Sequence, residues 1–283
     1  MLGKQYTKSI RRALSCFPPR SASYIAVAAP VTALVLIVLP AHAAGPTGLL
    51  NDTGITFCGD VTTNIATCAT VAADGGTFPG QDARYGRDAQ AAAGQLTKVG
   101  GGDAGFDFTK MANNGTVLPA DAALGSGATD WACTRDNVTG LIWEVKTTSG
   151  LRSQSHTYSW YNSNPATNGG AVGQASRGSC FTEDRCDTEK YVQDVNAVGL
   201  CGVSDWRMPT VKELEGIAHH GGPIPAIDPS YFPNTPISRF WSGSPWADGS
   251  TLAWIVHFST GASAGDRRNS YSDHGVRLVR AGQ

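Results

Sequence analysis

The sequence has no tryptophan before residue 131. All seven tryptophans lie in residues 131–283, whereas residues 44–130 are rich in Gly, Ala, Thr and Asp and contain glycine runs at 75–76 and 100–102. A segment with so few large apolar side chains is poor at building a hydrophobic core of its own. We therefore expect a loop-rich N-terminal region at residues 44–130, followed by a folded region at residues 131–283.

The first 43 residues contain no acidic residue. They carry five basic residues, an apolar run from Tyr24 to Leu39, and small residues at Ala41 and Ala43 where a signal peptidase would read them. The run has 16 residues, fewer than the ~20 that span a bilayer. The pattern predicts a signal peptide at residues 1–43 and an exported protein, whether secreted, periplasmic or on the cell surface. An uncleaved membrane anchor is the alternative.

The chain also lacks an excess of positive charge. Residues 44–283 carry 17 Lys and Arg against 23 Asp and Glu, a net charge of −6. This balance disfavours a broad basic surface for nucleic acid. We expect membrane contact only through the signal segment. A polyanionic glycan would have to bind at a local cluster of arginines.

Zinc-binding spacings are absent: the sequence has no C-x2-C pair and no H-x3-H beside a cysteine pair. Six cysteines remain outside the signal segment, and an even number in an exported chain indicates disulfides. Several pairings are open. Nearness in sequence favours Cys58 with Cys68 and Cys180 with Cys186, which leaves Cys133 with Cys201.

Motifs of common enzymes are missing as well. The chain has no G-x-S-x-G, no Walker loop, no H-E-x-x-H and no dinucleotide fingerprint. No histidine or acid is tied by sequence to Ser242 or Ser244. A glycosidase needs two carboxylates, but Glu213 is explained by a helix cap and nothing assigns Glu144 or Glu215. We expect a protein that is not an enzyme.

Asp82 and Asp88 flank Tyr85 and Gly86, and paired aspartates near a glycine suit calcium. The loop pattern D-x-[DN]-x-[DN]-G is absent, so turn and cap roles are the simpler interpretation. We expect no cofactor, with calcium as the alternative. A short helix is expected at residues 88–96, weakened by Gly94.

Residues 201–217 contain a helix start. Thr210 followed by Glu213 is a capping box, so a helix should begin after Pro209 and run to Gly221, with structural roles for the two histidines at its end (His219 and His220). Its core face is expected to carry Val211, Leu214 and Ile217. The residues assigned a structural role in this motif are Trp206, Arg207, Pro209, Thr210 and Glu213.

Other elements of the C-terminal region follow from apolar spacing. An earlier helix should begin at Asp187, end at Gly199 and bury Tyr191, Val195 and Val198. Leu141, Trp143 and Val145 predict a strand with one apolar face, and later strands are expected at 240–242, 252–259 and 275–279. Two helices with a short-stranded antiparallel sheet make the fold class α+β.

Five segments in this order resemble the Lcl C-terminal domain: DNVTGLIWE, GLCGVSDWRMPTVKEL, AIDPSYFPNTP, FWSGSPW and GVRLVRAGQ. The resemblance implies a C-type-lectin-like fold and a secreted or surface protein that binds sulfated glycans rather than an enzyme. The family is named after a collagen-like adhesin, but this chain has no run of Gly-x-y triplets. A collagen stalk and the trimer that depends on it are therefore not implied, and the oligomeric state is left open.

In lectin-like folds the loops between late strands form the usual binding surface, here residues 244–251 and 261–273. Guanidinium groups match sulfate or carboxylate, and an aromatic face can stack on a sugar ring. The candidate ligand-binding residues are Arg239, Trp246, Arg267, Arg268 and Tyr271. For Arg267 and Arg268 a solvated hairpin is the simpler interpretation, and ligand contact is the alternative. The calcium-binding tripeptides of true lectins are absent, since Phe232-Pro233-Asn234 lacks the acid.

These observations favour a non-catalytic adhesin that binds a surface glycan. A structural or assembly component with a protein partner is the alternative. The terminal GVRLVR is also similar to the ending of formylglycine-generating enzymes, but their paired cysteine centre has no counterpart where every cysteine has a structural assignment.

Overall fold

The computed structural model describes residues 49–65, 68–69, 71, 78–268 and 274–282. The expected signal segment and Tyr271 lie outside the described residues. The strands are β1 (Cys58–Gly59), β2 (Asn64–Ile65), β3 (Phe108–Ala112), β4 (Trp131–Asp136), β5 (Leu141–Glu144), β6 (Arg239–Pro245), β7 (Leu252–His257), β8 (Ser263–Arg267) and β9 (Val279–Ala281). The helices are α1 (Asp82–Tyr85), α2 (Arg87–Ala92), α3 (Thr188–Val198) and α4 (Val211–Glu215), with a 3-10 turn at Leu200–Gly202.

Two larger antiparallel sheets organise a mixed α/β fold with few helices. One has four strands in the order β3-β4-β5-β9 and the other has three in the order β6-β7-β8, while β1 and β2 form a separate hairpin. Our expectation of one sheet was therefore too simple. The four-stranded sheet includes β3 from the segment expected to be loop-rich, with Thr109 opposite Arg135 of β4. Phe106 and Phe108 are 1% exposed and supply the core contacts of this segment.

Two clusters of buried side chains form the core, and β7 contributes to both. Ile255 packs in one cluster and Val256 in the other, because successive residues of a strand point to opposite faces. Trp206, to which the sequence assigned a structural role, and Trp241 both lie in the core, at 2% and 0% exposure. Their indole N–H groups donate to the carbonyls of Leu200 and Tyr158, so their polar atoms are satisfied.

The three disulfides pair as predicted: Cys58 with Cys68, Cys133 with Cys201, and Cys180 with Cys186. The second bond joins β4 to the 3-10 turn across 68 residues of chain. It closes the longest loop and constrains the unfolded chain most.

The capping box at Thr210 is confirmed, but its helix is shorter than predicted. The Thr210 hydroxyl accepts from the Glu213 N–H at 3.2 Å, and the Glu213 carboxylate accepts from the Thr210 N–H at 2.8 Å. The helix α4 ends at Gly216 instead of Gly221. The helix does not continue, because the backbone N–H groups that follow do not all bond within it. The His219 N–H, for example, donates to the Ala226 carbonyl.

The helix α3 has the predicted ends, with Asp187 accepting from the Lys190 N–H and Gly199 in the left-handed conformation. Its predicted core face is wrong at one position. Tyr191 and Val195 are buried, but Val198 is 66% exposed. After the turn at Gly199, Leu200 takes the buried position instead, at 3% exposure.

The strand β5 is buried on both faces, so the prediction of a single apolar face is also wrong. Glu144 and Lys146 are 0% and 2% exposed and form an ion pair at 2.9 Å. Burial lowers the pKa of Lys146, and the Glu144 charge opposes this shift. The pair is tolerated in the core because Tyr191 bonds both partners and the Leu278 N–H donates to Glu144 at 3.0 Å.

Several predicted boundaries differ from the observed ones. The strand β7 ends at His257, before the left-handed glycine at 261, and the last strand β9 begins at Val279 rather than Gly275. The helix near residue 88 ends at Ala92, before the left-handed Gly94. Residues 261–273 were expected to be a loop, yet residues 263–267 form β8.

Candidate functional site

Two tryptophans meet on the three-stranded sheet. Trp246 precedes the turn at 247–251, Trp254 lies in β7, and their ring centroids are 4.1 Å apart with an interplanar angle of 32°. The Trp246 N–H donates to the Leu252 carbonyl at 3.1 Å, which closes the turn. Both tryptophans are half-buried, whereas the other five are at most 4% exposed. This pair is therefore accessible aromatic surface.

A glycine makes room for the pair. Gly265 of β8 lies opposite Trp254 of β7, and a Cβ atom at position 265 would lie 2.6 Å from the Trp246 ring. The bare backbone thus lets the Trp246 indole lie against the sheet. An aromatic ring that covers a strand glycine in this way also stabilises the sheet.

Arg267 is on the same side of the sheet. It lies opposite Leu252, two residues beyond Gly265, so strand alternation places it on the face that carries Trp254. Its side chain is exposed. We call Trp246, Trp254, Gly265 and Arg267 the tryptophan face. The sequence suggested Trp246 and Arg267, but it assigned Trp254 only to the strand expected at residues 252–259.

Arg268 is buried, which corrects the expectation of a solvated hairpin. It is 1% exposed, and its guanidinium donates to the carbonyls of Asn168, Ala171 and Leu252 while lying 4.2 Å from the Trp160 ring centroid. Burial lowers the pKa of its guanidinium. Arg268 therefore anchors the segment at 168–171 to the end of β8 and does not extend the tryptophan face.

Arg239 is on the opposite face of the same sheet. It is paired with His257, and its guanidinium bonds Asp266 at 3.2 Å. Asp266 also contacts His274 Nε2 at 2.9 Å. Arg239 and Arg267 therefore do not converge on one ligand surface, and the structure brings together two of the five candidates, Trp246 and Arg267.

The tryptophan face offers two kinds of contact. The two half-buried indoles supply apolar contact area of low conformational entropy. The Arg267 guanidinium supplies a planar fork that matches a sulfate or carboxylate. An acidic sugar has both matching groups: a ring that can lie against an indole and an anionic group that can bind the guanidinium.

Asp82 and Asp88 lie beside a third carboxylate that the sequence analysis did not single out. Oxygens of Asp52, Asp82 and Asp88 all lie within 4.8 Å of one another. The Asp52 carboxylate is 6% exposed and accepts from the N–H groups of Gly54 at 2.7 Å and Asp88 at 3.3 Å. Burial raises the pKa of Asp88, and the charges of its two neighbours add to this shift. These oxygens are of the type that calcium prefers, and they also serve as turn and cap acceptors.

Three of the polar residues considered for catalysis, Ser242, Ser244 and Glu213, have structural partners. Ser242 donates to the Trp254 carbonyl, and the Ser244 hydroxyl accepts from the Val211 N–H at the start of α4. Glu213 receives two hydrogen bonds from Arg207, at 2.7 and 2.8 Å, in addition to its capping role.

His219 and His220 lie beyond the end of α4 rather than at its last turn. His219 is 2% exposed, its Nε2 lies 3.1 Å from Asp103, and its ring packs at 5.3 Å from Phe106. His220 is exposed and its backbone N–H donates to the Thr53 carbonyl. His219 thus connects the chain after α4 to the segment before β3.

Among the residues that the structure describes, we find no helix that combines the length and apolar character needed to cross a membrane. The three disulfides are consistent with an extracellular protein.

Comparison with known protein families places the C-terminal half in one of them. The profile of the Lcl C-terminal domain matches residues 132–280, which is more than half of the chain. No curated protein and no solved structure matches the chain. The matched residues include the capping box, two of the three disulfides and the whole tryptophan face. The chain therefore belongs to the Lcl C-terminal domain family, a membership that suggests a surface-associated, adhesin-like domain.

Proposed function

We propose that this protein is an exported, non-catalytic adhesin that binds acidic or sulfated glycans through the tryptophan face. The observation that supports the proposal best is the contacting, tilted ring pair of Trp246 and Trp254, half-buried on the face that also carries the exposed Arg267. A pair of indoles with only a packing role would be expected in the core, where the other five tryptophans lie.

The charge of the chain limits how such a ligand is held. Residues 44–283 carry a net charge of −6, so the overall field repels a polyanion. Attraction must come from contacts at short range, with stacking as the larger contribution and Arg267 selecting an anionic group. Because the contact with Arg267 is solvent-exposed, binding should weaken as salt increases.

A non-catalytic role is supported by the positions of the carboxylates. Glu144 is 0% exposed and Glu213 is held by Arg207 and Thr210, so neither is presented to a ligand as a pair of glycosidase carboxylates would be. We also propose that the function needs no cofactor. Calcium at Asp52, Asp82 and Asp88 is the alternative.

The remaining parts of the proposal follow from family resemblance and from the sequence. A C-type-lectin-like fold is supported by the two helices α3 and α4 with antiparallel sheets in the C-terminal region, and export by the expected signal segment together with the disulfides. Arg239 belongs to a different face and is not part of the proposed glycan site.

A protein partner is the second candidate. Phe181 lies inside the loop closed by Cys180 and Cys186 and is 63% exposed. A large apolar side chain held outward on a short disulfide loop is suited to a protein contact in a surface assembly.

A glycan array with the purified protein at low and high salt tests the proposal. The matched variants are Arg267→Gln, on the tryptophan face, and Arg84→Gln, an exposed arginine of α1. Binding to sulfated or uronic-acid glycans that is salt-sensitive and lost only in Arg267→Gln supports the adhesin. Silence across the array at both salt concentrations rejects it and favours the protein partner.

A further inference from the structure

Two cavities flank Arg135, a residue of β4 that the tryptophan face does not include. The first has a volume of about 370 Å³ and is bounded by β3 and by the segments at 99–101 and 117–120. The second has a volume of about 280 Å³ and lies toward the 3-10 turn. Arg135 and Val117 line both cavities, so these two residues lie between them.

The walls of both cavities are basic. They contain Lys110, Arg135 and Arg280, and no Asp or Glu among the described residues that line them. This is unexpected in a chain whose acidic residues outnumber its basic ones after residue 43. Two of the three cations are already engaged. Arg280 bonds Asp205 at 2.6 and 3.1 Å, and the Lys110 ammonium donates to the Ala122 carbonyl and lies 3.9 Å from the Trp131 ring centroid.

Arg135 differs because no carboxylate among the described residues forms an ion pair with it. Its Nε donates to the Asn137 side-chain oxygen at 3.2 Å, which fixes the orientation of the guanidinium. Asn137 in turn donates to Asp107 at 2.8 Å, and Asp107 also accepts from the N–H groups of Val99 and Gly100. The acid is thus on the far side of Asn137, and the two Nη groups of Arg135 bond no acceptor in the described part of the chain.

The open edge of β3 adds a backbone donor to the first cavity. Phe108 exchanges both of its backbone hydrogen bonds with Gly101, and the Lys110 carbonyl accepts from the Leu118 N–H at 2.9 Å. Since residues two apart in a strand direct their N–H groups to the same side, the Lys110 N–H also points away from β4 toward this cavity.

We propose that Arg135 anchors a second binding site, separate from the tryptophan face, for an oxyanion carried on an organic ligand. The oxyanion, a carboxylate or a sulfate, would accept from the Arg135 fork, and the apolar part of the ligand would lie against Val117 and Leu118. Partial burial of a guanidinium costs free energy when its N–H groups have no acceptor in the protein. A charged acceptor on a ligand would offset this cost. The larger cavity has the size of a small-molecule site.

Side-chain NMR of the whole protein tests this site directly. The arginine Nε–H signals are followed during titration with sodium benzoate and, separately, with sodium phenyl sulfate, with sodium chloride at equal ionic strength as the reference. We expect a saturable shift of the Arg135 signal with at least one of the two probes. A response to benzoate alone assigns the site to carboxylates, and a response to phenyl sulfate alone assigns it to sulfate esters.

Substitutions at and away from the cavities test whether Arg135 itself binds the probe. In Arg135→Gln the affinity for the probe, followed at the Arg135 cavities, should fall about 10-fold or more, while Arg84→Gln should bind it as the native protein does. Val117→Glu is an independent check, because Val117 is 58% exposed and a carboxylate there should block the site without disturbing the fold. An unchanged affinity in Arg135→Gln or in Val117→Glu, or no saturable shift with either probe, would overturn the proposal. These outcomes leave the tryptophan face untouched.

Discussion

The Trp246 ring contacts the Trp254 ring across the hairpin of β6 and β7, with ring centroids 4.1 Å apart and the planes tilted by 32°. The Trp246 ring occupies the space that a side chain at position 265 would need. The geometry of the proposed glycan site therefore depends on Gly265, although this residue has no side chain with which to contact a ligand.

Substitution of this glycine should separate the two indoles. In Gly265→Ala the new methyl group would lie 2.6 Å from the Trp246 ring, so the ring must move. We expect a loss of about 1–3 kcal/mol in the free energy of unfolding and the disappearance of the coupled indole signal in circular dichroism. Glycan binding should weaken in parallel.

Gly249→Ala is the matched control, because nothing lies within 4 Å of a Cβ atom at that position on the same hairpin. It should leave both the circular dichroism and the binding unchanged. If Gly265→Ala keeps the coupled signal, the position of the Trp246 ring against Trp254 does not depend on the absence of a side chain at residue 265.

The capping box makes the stability of α4 depend on pH. Burial raises the pKa of Glu213, but the hydrogen bonds from Arg207 and Thr210 lower it by a larger amount. The pKa of Glu213 in the folded protein is therefore below its usual value. A carboxyl with a depressed pKa stabilises the fold above its unfolded pKa, and this contribution is lost as the pH falls through the folded value. In Glu213→Gln we expect about 1–2 kcal/mol less stability at neutral pH and convergence with the native protein in acid.

Urea denaturation at several pH values between neutral and acid measures this difference. Glu215→Gln removes a charge from the same helix without touching the cap, and it should run parallel to the native protein. A constant gap between Glu213→Gln and the native protein down to strongly acidic pH would mean that the ionised carboxylate contributes nothing to the cap.

The disulfides should differ in their contributions to stability. The bond between Cys133 and Cys201 spans 68 residues, whereas the bond between Cys180 and Cys186 spans six. Loop-closure entropy predicts losses of about 4 and about 2 kcal/mol when each pair is replaced by alanine. Urea denaturation of the two double variants checks the order, and equal losses would contradict it.

Calcium is not expected to bind at the three clustered aspartates. Both oxygens of Asp52 already accept backbone N–H groups, and calcium sites usually add several neutral oxygens to their carboxylates. Isothermal titration with calcium chloride should therefore give no saturable heat. A saturable heat that is absent in Asp52→Asn would instead make calcium part of the structure.

Local signals in the sequence were sufficient for part of the fold. Thr210 and Glu213 predicted their helix start because a cap involves neighbouring residues alone. The end of α4 at Gly216 depends on contacts of the following residues with distant segments, for which local spacing has no information. Pairing of the cysteines was also predictable, since two of the three bonds are between near neighbours.

The candidate site was less predictable. Arg267 and Arg268 are adjacent in sequence, yet one is exposed and the other is 1% exposed. This difference arises because successive side chains at the end of β8 point to opposite faces of the sheet. The strand itself was not predicted, because Gly261 and Gly265 are typical of a loop. Trp254 became a candidate only when the register of β7 placed it beside Trp246. Arg135 had no signal at all, because its cavities are built from segments far apart in the chain.

The most direct test of the tryptophan face is the dissociation constant for one sulfated glycosaminoglycan oligosaccharide, measured by isothermal titration for the native protein and for Trp254→Ala. Truncation of an aromatic side chain that is central to a binding surface is expected to cost about 1–3 kcal/mol, which corresponds to about 5-fold to 150-fold weaker binding. We expect a change in this range, with the fold unchanged in the amide region of the NMR spectrum. Equal dissociation constants for the two proteins would contradict the proposed site.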